Sequence, residues 1–176
     1  KVKQFGAIRK LAEAGANVNF ATNTGCTAAH FAASMGDLET VRYLASLGAT
    51  TIHDRCETGS LLHWAAHSGE VKCVGAMIYE LNIPVDIKDS HGGTALFTAL
   101  FMKKGEVVQF LLEQGADPNT VIDGDLSTPL HIAVEHSDNE DVKALLAFGA
   151  NPLASNKEGE TPITIAEKKG NKGALK

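Results

Sequence analysis

His63 and His67 stand four residues apart, a spacing that sets two imidazoles on one face of a helix, as zinc-binding helices do. His30 and His131 supply further ring nitrogens. A zinc ion needs at least three protein ligands, and no third residue has a clear claim beside this pair. Asp138, Glu140 and Asp141 crowd together in the way carboxylates do for acid–base work, but they open a predicted helix, where acids favour the dipole. No nucleophile stands with a base, and the glycines recur singly at turns rather than in a phosphate-cradling run. The chemistry-bearing residue types therefore indicate no catalytic residue, no metal ligand and no cofactor, and the chain reads as something other than an enzyme.

The elements that carry these histidines explain them better. Ser127-Thr128-Pro129-Leu130-His131-Ile132-Ala133 echoes Thr27-Ala28-Ala29-His30-Phe31-Ala32-Ala33 and Ser60-Leu61-Leu62-His63-Trp64-Ala65-Ala66. It returns as Thr94-Ala95-Leu96-Phe97-Thr98-Ala99 and Thr161-Pro162-Ile163-Thr164-Ile165-Ala166. The copies begin at 27, 60, 94, 128 and 161, so the spacings are 33, 34, 34 and 33. A period near 33 with a Thr-Pro-Leu-His core resembles the ankyrin repeat family. The resemblance implies an all-α repeat, an ankyrin solenoid of helix-turn-helix units joined by β-hairpin-like finger loops. It also implies that the motif histidine hydrogen-bonds within and between repeats, which engages His63. The array divides into a partial leading repeat (1–19), four repeats (20–52, 53–86, 87–119, 120–153) and a truncated last one (154–176).

Local chemistry within one repeat agrees. Thr27 can cap the first helix, and Pro129 and Pro162 take the first helical position, where a missing N–H costs nothing. Ala29, Ala32 and Ala33 are small enough to let inner helices approach closely. Gly36 breaks the helix in a left-handed turn. Leu38, Val41 and Leu44 then line one face of a second helix. Later repeats supply Val71, Val74, Met77 and Ile78, then Val107, Val108, Leu111 and Leu112, then Val142, Leu145 and Leu146. Ala7 to Asn19 reads as a second helix and its loop, with the first helix of that repeat absent or degenerate. The second repeat and the fourth finger each carry one extra residue. The third repeat departs most: Phe97, Leu100 and Lys103 replace the usual histidine, alanine and glycine, and Ser137 replaces the glycine of the fourth.

The chain has 176 residues, 44% hydrophobic and 21% charged, which excludes a disordered segment. No apolar run approaches the ~18 residues of a membrane span. No leader marks secretion, and the chain starts on Lys and stops inside a repeat, so it reads as a fragment of a longer protein, monomeric as such. Cys26 and Cys56 fall in loops and Cys73 on an apolar helical face, an odd set with no close pair. Reduced thiols of a cytoplasmic or nuclear protein are expected. The net charge of −5 is unevenly spread: residues 105–160 hold 2 Lys+Arg against 11 Asp+Glu, while 161–176 hold 4 against 1. Nucleic acid, which wants a basic stripe, is not an expected partner. The acidic block reads either as a solvated face or as a surface that steers a basic partner.

In arrays of this resemblance the partner lies along the concave face, built from finger tips and the ends of the first helices. Those helix ends are Ser34-Met35, His67-Ser68, Phe101-Met102, Glu135-His136 and Lys168-Lys169. The tips are Asn23-Thr24, Cys56-Glu57, Ser90-His91, Gly124-Asp125 and Lys157-Glu158. Most are polar. Phe101 and Met102 stand out, either as an exposed anchor or as residues buried by a longer helix in an irregular repeat. The expected function is a protein-interaction scaffold holding a basic or mixed peptide segment of a partner protein, with candidate contacts Met35, His67, Ser68, His91, Phe101, Met102, Asp123, Asp125, Glu135 and His136. His67, His91 and His136 could make binding pH-sensitive. The alternative is a regulatory or substrate-targeting module of a larger enzyme, ligase or secreted effector. Asn19, with Leu11 eight residues before it and Val18 directly before, resembles the ankyrin loop asparagine that an oxygen-dependent hydroxylase modifies; the other reading is that it holds a turn.

Overall fold

The computed structural model describes residues 2–49, 56, 59–136 and 139–170, with side chains from residue 6 onward; Glu57, Ser137 and Asp138 lie outside the described residues. The described residues form ten helices and no strand. They are α1 (Val2–Glu13), α2 (Ala28–Ser34), α3 (Leu38–Ser46), α4 (Leu61–Ser68), α5 (Val71–Tyr79), α6 (Ala95–Phe101), α7 (Gly105–Glu113), α8 (Pro129–His136), α9 (Asn139–Ala147) and α10 (Pro162–Lys169). Helix α1 starts at Val2 rather than at Ala7 and is an outer helix, packing on α3. The chain divides into two compact bodies after Pro84. In the N-terminal body the inner helices α2 and α4 pack together, and α3 packs between α1 and α5 in an outer row. In the C-terminal body α6, α8 and α10 form the inner row, and α7 and α9 the outer one.

Small inner residues and branched outer ones make the core. Ala29, Ala32, Ala33, Ala65, Ala66 and Ala99 are buried, so neighbouring inner helices meet almost backbone to backbone. Val41, Leu44, Val74, Met77, Val107, Val108, Leu111, Leu112, Val142 and Leu145 are buried beneath them. Each such side chain contributes roughly 1.5–3 kcal/mol. Leu146, by contrast, is exposed, because α9 has no further outer helix on its far side among the described residues. The turn between inner and outer helices is left-handed at Gly36 (φ 62°) and Gly69 (φ 82°). In the third repeat Lys103 adopts the same conformation (φ 53°) without being glycine.

The motif histidine works as a clamp. The Nδ1 atoms of His30, His63 and His131 accept the backbone N–H of Thr27, Ser60 and Thr128 at 3.0, 3.1 and 3.1 Å. An accepting Nδ1 places the ring proton on Nε2, and Nε2 of His131 donates to the Glu160 carbonyl at 3.1 Å, one repeat further on. Loop ends are tied in the same way. Asn119 Nδ2 donates to the Gly149 carbonyl at 3.0 Å while its Oδ1 accepts from Asn151 N–H at 2.8 Å. Asn19 Nδ2 donates to the Gly48 carbonyl at 3.1 Å. Finger turns close on themselves, as in Asp89 N–H to Gly93 O at 2.8 Å and Asn156 N–H to Glu160 O at 2.9 Å. Neighbouring fingers join through Asp123 N–H to His91 O at 2.9 Å and Lys157 N–H to Asp125 O at 2.7 Å. The extra residue of the fourth finger leaves Leu126, half exposed, at φ 60°.

One expectation is corrected. Cys26 and Cys56 are not two unpaired thiols; they are joined by a disulfide across 30 residues, with Cα atoms 4.8 Å apart. Two positions nearly one period apart come side by side when repeats stack, so a pair distant in sequence becomes close in space. Cys73 is buried in α5 and takes no part in that disulfide.

Candidate functional site

The C-terminal body brings several of the expected contacts around one cleft of about 520 Å³. Its lining includes Asp89, His91 and Asp123 from two fingers, Thr94, Phe97 and Phe101 from the start, middle and end of inner helix α6, and Ile122. Helix α6 ends at Phe101, with Met102 as its cap. Phe101 is 49% exposed and Met102 43%, so the helix does not run on to bury them. The Phe101 ring meets His136 of α8 edge-on, with centroids 5.5 Å apart. Half-buried His136 thus buttresses the aromatic wall.

The acids behave differently from one another. Asp123 is exposed, and its carboxylate lies against Gly92: a Cβ there would come within 2.6 Å of Oδ1. Gly92 also holds φ 79°, so glycine is needed on both counts. Asp89 Oδ1 accepts the N–H groups of His91 and Gly93, both at 2.8 Å, which fixes the tip. Asp125 is exposed but turned onto its own finger, accepting from Ser127 N–H at 2.9 Å and Ser127 Oγ at 2.8 Å. Glu135 pairs with Lys169 at 3.6 Å, and Lys168 pairs with Glu160. That second pair holds the Glu160 carboxyl below its usual range through the Lys168 hydrogen bond and charge. Part of the acidic block is therefore neutralised from within by the basic end of α10.

The expected contacts of the N-terminal body form their own set. Met35 is exposed at the cap of α2 and His67 is exposed on α4. Ser68 is occupied at the end of α4: its hydroxyl donates to Ala65 O at 2.7 Å and accepts from Glu70 N–H at 3.1 Å. Trp64 lies edge-on to Phe31 of α2, with centroids 5.5 Å apart, and Phe31 is 47% exposed. Asn19 is exposed in the loop after α1, engaged with Gly48 as above. Burial pushes the His30 imidazole down to about 4.

Reading the sequence alone passed over Asp89, Thr94, Phe97 and Ile122 as site residues. The available signal was Phe97 in the histidine position: without a ring nitrogen there, the Thr94 hydroxyl is buried with no hydrogen-bond partner among the described residues.

Comparison with known proteins agrees with the repeat geometry. Residues 3–45 and 111–166 match ankyrin repeats (many copies), and residues 50–122 match ankyrin repeats (3 copies). The chain is 34% identical over 115 residues to ankyrin repeat and SOCS box protein 9 of Mus musculus, covering 65% of this chain and 39% of that protein. It is 35% identical over 118 residues to transient receptor potential cation channel subfamily A member 1 of Homo sapiens, covering 65% and 10%. It is 28% identical over 148 residues to Rabankyrin-5 of Mus musculus, covering 83% and 13%. The chain thus spans well under half the length of these relatives. No described helix is long and apolar enough to cross a membrane. The repeat period, the histidine clamps, the paired helix rows and these matches lead to one conclusion: the chain belongs to the ankyrin repeat family and is a protein-interaction module.

Proposed function

We propose that this array is a non-enzymatic scaffold that holds a segment of a partner protein on its finger-and-inner-helix face. The observation that carries the reading is the pair Phe101 and Met102, large apolar side chains left 49% and 43% exposed beside a cleft. Exposed apolar residues grouped at a concavity, with a polar rim, are where binding energy concentrates. His91, Asp123, Glu135 and His136 form the rim of the same body, and Asp125 lends its charge while bonded to Ser127. Met35 and His67 are the corresponding contacts of the N-terminal body, with Ser68 beside them while its hydroxyl stays bonded to Ala65 and Glu70. A basic or mixed segment suits residues 105–160, with 2 Lys+Arg and 11 Asp+Glu.

The test is capture from source-cell lysate by the parent chain and by Phe101→Ala with Met102→Ala, both checked by thermal melting. A protein kept by the parent and lost by a variant of unchanged melting temperature supports the reading. Equal capture by both overturns the assignment of these two residues.

A second reading follows from length. This chain covers 39%, 10% and 13% of relatives that are longer proteins, so the module would target or regulate a longer protein. We place it in the cytoplasm, where the Cys26–Cys56 pair would face a reducing pool. Asn19, exposed in its loop, is a proposed hydroxylation site. Peptide mass spectrometry of the native protein would read one added oxygen atom there, and an unmodified peptide would sink the assignment.

A further inference from the structure

We infer that the cleft beside Phe101 is a receptor for an arginine side chain of the bound segment, an inference that rests on the interaction face proposed above. Thr27, Ser60 and Thr128 open their inner helices, and the histidine three residues on lies 3.1, 3.0 and 2.8 Å from each hydroxyl. In the third repeat Phe97 stands at that position, and Thr94, 1% exposed, has a buried hydroxyl with no partner among the described residues. A buried polar group without a partner is costly, whereas an apolar residue of the same shape would not be. Thr94 belongs to the lining of the cleft, so a guest whose entry shifts this side chain completes the missing bond.

Walls and rim state the guest's chemistry. Phe97 and Ile122 make the walls apolar, and the half-exposed Phe101 ring, braced by His136, joins the same lining. Two carboxylates, Asp89 and Asp123, enter the same lining. Asp89 is held by two backbone N–H groups, and Asp123 is seated on Gly92. Lys157 lies on the neighbouring finger, with its ammonium 3.4 Å from the Gly124 carbonyl. An anion is repelled by this rim. A neutral apolar chain would desolvate two carboxylates and leave Thr94 unpartnered. An ammonium is a compact, strongly hydrated charge and lacks the planar fork that grips a carboxylate bidentately while stacking on a ring. A guanidinium is planar and carries five donors: it can lie over Phe101, fork onto Asp123 and spare an N–H for Thr94. The volume of about 520 Å³ lies within the ~300–1,000 Å³ of ordinary ligand clefts, enough for the side chain and part of its flanking backbone.

The test is a titration of the whole ¹⁵N-labelled chain with Ac-Leu-Arg-Leu-amide and with the same peptide carrying citrulline, which keeps the shape and removes the charge. The expected result is amide shifts at His91–Thr94 and Ile122–Gly124, with citrulline weaker by about tenfold or more. Asp123→Asn should weaken the arginine peptide by a similar factor. Thr94→Val should weaken it by roughly threefold without lowering the melting temperature, because the hydroxyl it removes is unpartnered in the free protein. Equal binding of citrulline and arginine, shifts confined to other surfaces, or no shift up to about 10 mM peptide would each overturn the inference. In any of these cases, loss of partner capture by Phe101→Ala with Met102→Ala would still uphold the scaffold, so the two readings fail separately.

Discussion

Lys103 holds a left-handed backbone (φ 53°) at the turn where the first and second repeats use Gly36 and Gly69. A side chain in that conformation costs about 1–2 kcal/mol, partly offset by the extra freedom glycine gives the unfolded chain. Lys103→Gly should therefore raise stability by about 0.5–1 kcal/mol, read as a higher urea midpoint with an unchanged slope. His30 makes a pH-dependent contribution. Its ordinary value of 6.5 falls to about 4 on burial, so the folded state binds fewer protons than the unfolded state between those limits. Stability from this residue is then complete above pH 6.5 and is lost as pH falls toward 4, by up to about 3 kcal/mol. His30→Gln should lower stability at pH 7 yet flatten the decline between pH 6.5 and 4.5. An equally steep decline in the variant would assign it to other groups.

At the scale of elements, outer helices differ by what covers them. Leu145 of α9 is fully buried while Leu153, just beyond that helix, is 68% exposed. Leu145→Ala should cost about 2–5 kcal/mol, and Leu153→Ser should stay within about 0.5 kcal/mol, both measured by denaturant unfolding. The helices were legible because the motif recurs: Pro129 and Pro162 open α8 and α10 where the pattern places them, and Gly36 and Gly69 end α2 and α4. The start of α1 was not, because nothing in Val2 to Gly6 repeats a known segment. At the site, the substitutions Phe97, Leu100 and Lys103 were visible in the sequence. Their consequence was not, since an unpartnered Thr94 hydroxyl depends on what is missing from a neighbouring turn. Ser68 and Asp125 show the opposite failing: as side chains they look available, and only geometry reveals that Ala65, Glu70 and Ser127 already occupy them. The Cys26–Cys56 disulfide depends on finger register, which no local pattern encodes.

At the scale of the whole molecule, each compact body buries its own inner and outer rows. Residues 85–176 contain α6 to α10, enough stacked helices to cover α8 from both sides. That fragment should give a cooperative thermal melt by circular dichroism, whereas residues 120–176, with α8 to α10 alone, should lose most of their helicity. A non-cooperative melt of 85–176 would show that its core needs the preceding repeats. The loop-end and histidine bonds carry a kinetic consequence. Asn119 reaches Gly149 and Asn151 at separations of 30 and 32 residues, and His131 reaches Glu160 at 29. The chain never has to search further than about one period to close a seam, so the entropy of that search does not grow with the number of repeats. Duplicating or deleting a whole period should change how much stability accumulates while leaving the time to form the first seam nearly the same.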